Sequence, residues 1–536
     1  MSAHKTLQPA QAEPLHAHRL IIATNRGPVE FYLTQDKVLK SRRGAGGVVT
    51  ALIEAASRME VTWVAMAMTE GDRLAARDAD AESGRIPSPL PNLKMQLRYV
   101  VIPKTAYRKH YDIISNRVLW FLQHYLYDPS SDSFNYQRLQ DAWKNGYRVA
   151  NQAIAEAVNA EIERAQTTPV VMLHDYHLYL VAAMIRERHP TIITQQFIHI
   201  PWPDSRCWHF LPSNISQEIY RGLVGNDIVG FQTERDARNF LEGARTILDG
   251  AEVDFEEGTV VWQGHRTLAR AYPISISVAE ERRIVQSLAG RRAAEKILPL
   301  LGEQTIMRVD RIEPTKNIPR GFQAYAQMLE EHPELRGKVK FLAFLVPSRQ
   351  SLPEYKRLNT EVLKLVEEIN ARYGDADWKP IEVFCDNDRT RALAAMQFYD
   401  VLLVNPIIDG MNLVAKEGAV VNKRNGVLVL SRTAGAFQQL GKAAIPTSPL
   451  DVAETAEALY TALTLPPEER ERRARLARQM VEQNNLQTWL TRQIEDINEL
   501  LDLARLAAES QQRQNEQNEP ETEPELAPSP LSLSAG

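Results

Sequence analysis

Short apolar runs alternate with amphipathic helical stretches along most of this chain. Runs at 19–24, 62–66, 98–102, 170–174, 194–200 and 227–231 read as strands, and after a break at 273–277 the pattern resumes at 305–309, 339–345, 381–384, 401–405 and 426–431. Continuous apolar strands separated by helices call for parallel sheets covered on both faces. Two sets of about five or six strands predict an α/β protein with two doubly wound, Rossmann-like domains facing across a cleft. The boundaries that follow are a flexible N-terminal arm at 1–17, a first domain at 18–275, a second at 276–508, and a tail at 509–536. A helical stretch at 456–506, interrupted at Pro466-Pro467, closes the second domain. The tail is rich in Gln, Glu, Asn, Pro and Ser, too polar to repay the entropy of ordering, and is expected to be disordered.

Polar residues collect where these strands end. Asn25 and Arg26, His174 and Asp175, His199, Arg311, Arg349 and Asp409 each lie at or just past the carboxyl end of a predicted strand. Open α/β sheets bind their ligands in that crevice. After the strand at 401–405, Asp409-Gly410-Met411-Asn412-Leu413-Val414 turns into a helix, and a fresh helix N-terminus suits a diphosphate. Glu417 follows about two turns from that start, where a carboxylate accepts hydrogen bonds from ribose hydroxyls. Arg311 and Lys316 lie on the loop after the strand at 305–309. Two fixed cations can neutralise a nucleotide leaving group, a task elsewhere given to a metal. Each of these segments taken singly also fits an ordinary strand-turn-helix with solvated charges; together they describe a nucleotide-sugar site.

Composition narrows the class. A chain of 536 residues is long enough for two substantial cores, and a formal net charge of −5 leaves no basic excess to hold nucleic acid. Cys207 and Cys385 are too few for a disulfide framework. No apolar run approaches a membrane span, and 1–17 lacks the hydrophobic core of a signal peptide, so a cytoplasmic protein without membrane partners is expected. Homo-oligomerisation is left open. His174-Asp175-Tyr176-His177 could suggest a metal, but no second cluster with ligand spacing accompanies it, so neither a metal nor another cofactor is expected.

The ordered series Ala23-Thr24-Asn25-Arg26, Gly44-Ala45-Gly46-Gly47, Tyr111 with Trp120, His174 to His177, His199-Ile200-Pro201-Trp202-Pro203, Gly230-Phe231-Gln232-Thr233, Arg311 with Lys316, Pro347-Ser348-Arg349 and Asp409 to Glu417 resembles the retaining glucosyltransferases typified by trehalose-6-phosphate synthase. The resemblance runs from about residue 18 to about residue 487. It implies the two-domain GT-B glycosyltransferase fold, with the last helices packed back on the first domain. It also implies transfer of glucose from a nucleoside-diphosphate glucose, most often UDP-glucose, to glucose 6-phosphate with retention of configuration.

By the same resemblance, Gly46, Gly47, Arg311, Lys316, Asp409, Gly410, Met411, Asn412, Leu413, Val414 and Glu417 hold the donor. Arg26, Tyr111, Trp120, Asp175, Tyr176, His177 and Arg349 surround the acceptor, and His199 contacts the transferred glucose. Asp175, His199, Arg311 and Lys316 form the catalytic set. No residue of the set stands out as a covalent nucleophile, which favours front-face substitution driven by positioning and charge stabilisation. Residue by residue, Tyr111 and Trp120 also fit core packing and His199 a satisfied strand-end histidine.

The chain departs from the family pattern at Pro314 and Asn317, where an aromatic residue and Gly are usual, at Ser275 in place of Gly, and at Phe437 in place of a small residue. A Pro-x-Lys-Asn arrangement also occurs in the validamycin-type pseudo-glycosyltransferases. Rival readings are therefore such an enzyme, a glucosylglycerol-phosphate synthase, or a catalytically silent sugar-phosphate sensor.

Overall fold

The computed structural model describes residues 19–44, 49, 52–53, 60–90, 93–130 and 134–518. In the first half the strands are β1 Leu20–Thr24, β2 Val29–Leu33, β3 Leu39–Arg43, β4 Val61–Met66, β5 Ile86–Pro87, β6 Met95–Val100, β7 Val170–His174, β8 Thr194–Phe197, β9 Ile228–Phe231, β10 Glu252–Asp254, β11 Thr259–Trp262 and β12 His265–Ala271. They form a ten-stranded sheet in the order β10-β11-β12-β9-β8-β7-β1-β4-β6-β5, with β2 and β3 apart as a hairpin. The stretch from β12 to β6 is parallel, and β5, β10 and β11 add antiparallel edges. Every residue of β1 and β7 is buried, as parallel strands covered on both faces must be.

This sheet is wider than the five or six strands expected. The added strand β10 has no buried position and β12 mixes exposed, half-buried and buried ones, so no apolar run announces them. The hairpin β2–β3 escaped for the same reason, β3 being exposed over most of its length.

The second sheet has the order β15-β14-β13-β16-β17-β18 and is parallel throughout. Its strands are β13 Gln304–Ile312, β14 Val339–Pro347, β15 Ile381–Phe384, β16 Val401–Val404, β17 Val427–Ser431 and β18 Ile445–Thr447. The strand order reverses between β13 and β16, the position where doubly wound sheets open a crevice.

The expected closing helices are Val452–Thr464, Pro467–Gln483 and Leu486–Asn518. The last of them crosses back to the first domain. Trp489, 2% exposed, meets Phe197 edge-on at 5.4 Å, and Gln195 Nε2 donates to Gln493 Oε1 at 2.9 Å. Burying a ring of this size contributes roughly 1.5–3 kcal/mol, which helps hold the two domains in register.

That helix also runs past residue 509, where the sequence reading begins an unstructured tail. Strong helix formers and the pairs Arg505–Glu509 and Glu509–Arg513 at (i, i+4) spacing carry it on. The expected arm at 1–17 and the tail beyond 518 lie outside the described residues. Among the described residues no helix is long and apolar enough to cross a membrane.

Candidate functional site

The carboxyl edges of the two sheets face each other, and at one point their backbones touch. A Cβ on Gly410 would lie 2.3 Å from the carbonyl oxygen of His199, so only glycine fits there. Met411 is buried, and Asn412 takes a left-handed backbone (φ 77°) that Asn tolerates, its side chain capping the helix Leu413–Val421. The first-turn amides of that helix therefore open beside Asp409 and Gly410, with Leu413 and Val414 half-buried next to them.

Lys316 reaches this turn from the neighbouring loop. Its Nζ lies 2.5 Å from Asp409 Oδ2, which also accepts from Asn412 Nδ2 at 3.1 Å. Burial works against the ammonium, but Asp409 and Asp310 outweigh it and raise the lysine pKa. Asp409 is shifted down in turn, because Lys316 overcomes the cost of its burial. The loop is anchored from below by the fully buried Arg308, which pairs with Asp310 at 2.8 Å and donates to the Lys316 carbonyl at 3.0 Å.

Two of the four departures from the family pattern, Pro314 and Asn317, find local reasons here. Pro314 opens the tight turn Pro314–Lys316, and Asn317 ends it in the left-handed region (φ 56°), the conformation for which Gly is otherwise suited. The Asn317 amide then donates to the carbonyls of Asn405 at 3.0 Å and Pro449 at 2.6 Å. Ser275 is buried and Phe437 half-buried at the start of a short helix.

Arg311 and Arg349 meet at one carboxylate. Glu313, its side chain 1% exposed, lies 3.1 Å from Arg311 Nη1 and 3.6 Å from Arg349 Nη1. Arg311 keeps over half its side chain exposed. Arg349, with φ 42°, donates to Tyr355 Oη at 2.5 Å and to Tyr176 Oη at 3.3 Å, and its guanidinium sits 4.9 Å above the Trp120 ring. Tyr355 and Arg349 belong to the second domain, Tyr176 and Trp120 to the first, so this arginine crosses the cleft.

On the first-domain side, Asp175 follows β7 with φ 73°. Burial pushes its carboxyl up to about 7, although the amides of Tyr176 and His199 and the charge of Arg349 pull the other way. The His199 amide donates to Asp175 Oδ1 at 3.4 Å, and His174 Nδ1 lies 3.3 Å from His199 Nε2. Burial lowers the pKa of both imidazoles, so both are neutral at pH 7.

Tyr111 and Trp120 lie on one continuous helical segment whose middle, Lys109–Leu119, has wide π-type turns, a geometry frequent at functional sites. Tyr111 stacks on Tyr107 at 5.5 Å and on His177 at 5.8 Å. Trp120 is both core residue and cleft residue, 3% exposed under Arg349. Arg26 is exposed just past β1, and its charge bears on Tyr107 and His177.

Glu417 lies 3.5 Å from Arg389, which also pairs with Glu281 at 2.5 Å. Burial raises the pKa of Glu417, and burial with the Glu417 charge raises that of Glu281 to about 7. Gly46 and Gly47 lie outside the described residues. Sequence reasoning missed Glu313, Tyr355, Glu281 and Arg389. Glu313 carried one usable signal, an acid between the two cations of its loop; the others come from distant segments with none. Among the described residues no group of His, Cys, Asp and Glu is arranged to hold a metal ion.

A family model described as glycosyltransferase family 20 matches residues 18–499. An Arabidopsis thaliana probable alpha,alpha-trehalose-phosphate synthase [UDP-forming] 2 is 31% identical over 88% of this chain and 56% of its own length. The chain thus spans about half the length of that relative. A Schizosaccharomyces pombe alpha,alpha-trehalose-phosphate synthase [UDP-forming] is 31% identical over 88% of both chains. A validamine 7-phosphate valienyltransferase from Streptomyces hygroscopicus is 28% identical over 84% of this chain and 88% of its own.

Among solved structures, an alpha,alpha-trehalose-phosphate synthase (UDP-forming) from Burkholderia vietnamiensis matches with a TM-score of 0.76 and 26% identity, covering 92% of this chain and 99% of that one. A trehalose-6-phosphate structure from E. coli bound with UDP-2-fluoro glucose has a TM-score of 0.75 at 26% identity, over 89% and 98%. With the matched region spanning both domains and every described strand, this chain belongs to glycosyltransferase family 20.

Proposed function

We propose that this protein is an α,α-trehalose-6-phosphate synthase that transfers glucose from UDP-glucose to glucose 6-phosphate with retention of configuration. The observation that carries the reading is Arg349, which spans the cleft from Glu313 to Tyr176 and Trp120 beside Asp175. It supports a phosphorylated acceptor held between the domains, next to a diphosphate site built from Arg311, Lys316 and the first turn after Gly410. Glu417 accepts the ribose hydroxyls, and Gly46 and Gly47 belong to the donor side. Arg26, Tyr111, Trp120, Tyr176, His177 and Arg349 line the acceptor pocket. Asp175 orients the acceptor hydroxyl, and the neutral His199 contacts the transferred glucose.

In the reaction the bond from the anomeric carbon to the diphosphate oxygen breaks. A bond to the acceptor hydroxyl oxygen forms on the same face, and the hydroxyl proton passes to the departing phosphate oxygen. Arg311 and Lys316 stabilise the charge that grows on the leaving group. The Lys316–Asp409 pair supports this role, since it keeps the ammonium charged despite burial. A cytoplasmic setting belongs to the same reading, with Cys207 and Cys385 both free.

The test is a panel of nucleotide sugars against several acceptor phosphates, with products identified by NMR. α,α-Trehalose 6-phosphate from UDP-glucose and glucose 6-phosphate is the expected outcome. A glucosylglycerol phosphate, a C–N linked product from a cyclitol phosphate, or no turnover with any pair overturns it.

A further inference from the structure

The carboxylate of Glu313 is shared by both cationic clusters. It emerges from β13 with Arg311, while Ser348 and Arg349 emerge from the adjacent β14, in the register Arg311↔Val346 and Ile312↔Pro347. One oxygen, Oε1, serves all three neighbours: Arg311 Nη1 at 3.1 Å, Ser348 Oγ, which donates to it at 3.0 Å, and Arg349 Nη1 at 3.6 Å. No other carboxylate among the described residues pairs with either arginine.

We propose that Glu313 is a positioning residue that sets the separation between the donor-phosphate arginine and the acceptor-phosphate arginine, and so aligns the two substrates for transfer. The proposal rests on the reading of Arg311 and Arg349 given above.

Two guanidinium groups in a narrow cleft repel each other, and each substrate brings an anion that can draw its own arginine away. A buried carboxylate between them cancels the repulsion and fixes both side chains at one point. Burial works to protonate Glu313, but Arg311, Arg349 and Lys316 outweigh it and hold its pKa at about 2. It therefore stays charged across any working pH.

The second anchor is on Arg349 itself. Its left-handed backbone and its bonds to Tyr355 and Tyr176 leave little freedom at the far end, so a change at Glu313 is passed to the acceptor. Reaction across two bound substrates needs the reacting atoms in a near-attack arrangement, and a misplacement of about 1 Å can cost about 100-fold in rate. Affinity has no such requirement. Glu313 even opposes it, since a carboxylate beside two phosphates repels them.

These opposite signs give the test. Glu313→Gln keeps the shape and removes the charge. Initial rates with UDP-glucose and glucose 6-phosphate should show kcat lower by about 100-fold, with KM for both substrates unchanged or lower. Adding Glu313→Gln to Arg349→Ala should lower kcat little further, because the effect passes through Arg349. Glu313→Asp, which keeps the charge, should recover part of kcat. Ser348→Ala, a milder change that leaves the carboxylate in place, should lower kcat about 3- to 10-fold at constant KM.

An unchanged kcat in Glu313→Gln overturns the proposal. So does a rise of both KM values in step with the loss of kcat, which is what ordinary loss of structural support produces. Should Glu313→Gln not fold, unchanged kcat in both Ser348→Ala and Glu313→Asp overturns it. If Arg349→Ala leaves the KM for glucose 6-phosphate unchanged, the reading of the phosphate pocket fails as well. If that KM rises while Glu313→Gln behaves like the native enzyme, this inference alone falls.

Discussion

Arg349→Ala is the substitution with the most separable consequences. The guanidinium is largely buried and has four neighbours: Glu313, Tyr355, Tyr176 and the Trp120 ring. Its loss leaves Glu313 paired with Arg311, so no carboxylate is stranded, and Tyr176 still donates to Asn116 at 2.9 Å. The cost to folding is then confined to the Glu313 pair, two cation–π contacts with Trp120 and Tyr355, and the bonds to two hydroxyls, about 2–4 kcal/mol.

The cost to the acceptor is larger. Removing one partner of a buried charge-assisted contact costs about 2–5 kcal/mol, which is roughly a 30- to 5,000-fold rise in the acceptor KM. Donor KM should stay within a few-fold, because Lys316 and Arg311 remain. The assay is UDP release with glucose 6-phosphate and with glucose as acceptors, paired with a thermal melt. Native enzyme should use glucose poorly, and Arg349→Ala should not worsen glucose further. Equal use of glucose and glucose 6-phosphate by the native enzyme, or an equal loss for both acceptors in the variant, refutes a phosphate pocket at Arg349. Better use of glycerol 3-phosphate replaces the trehalose reading with the glucosylglycerol one.

Lys316→Ala should lower kcat by about 100- to 1,000-fold, since it removes charge stabilisation at the leaving group, and turnover of the native enzyme should survive EDTA; abolition by chelator with recovery on adding magnesium refutes the assignment. Glu417→Gln should weaken binding of UDP while leaving glucose 6-phosphate unaffected, as read by calorimetry. Asp175 should impose an acid limb: with a carboxyl at about 7, the ionised form that accepts the acceptor's hydroxyl grows in as pH rises through 7, and Asp175→Asn should flatten that limb. The same shift has a stability sign. The folded pKa lies above the unfolded value near 3.8, so the folded state holds the extra proton and loses stability as pH rises from about 4 to about 7. Asp175→Asn should therefore raise the melting temperature more at pH 8 than at pH 4.

The hydrophobic pattern alone determined two parallel α/β sheets and where their carboxyl edges fall. Strands such as β1, β7, β16 and β17 are buried on both faces and so read as unbroken apolar runs. Polar residues that interrupt such runs at their ends, Asp175 and Asp409 among them, stand out for the same reason. The strands β10 to β12 were invisible because their mixed or partial burial leaves no unbroken apolar run, and the helix beyond residue 509 because its support is a set of (i, i+4) ion pairs rather than a buried face. Pairings were decided only by the tertiary structure. Lys316 and Asp409 are 93 residues apart, Arg349 and Tyr176 are 173 apart, and the Gly410 backbone meets His199 from the other domain. Local sequence sets which residues end a strand. Which of those ends then touch depends on how two sheets and a returning helix pack, and that is fixed by contacts too distant along the chain to leave a periodic trace.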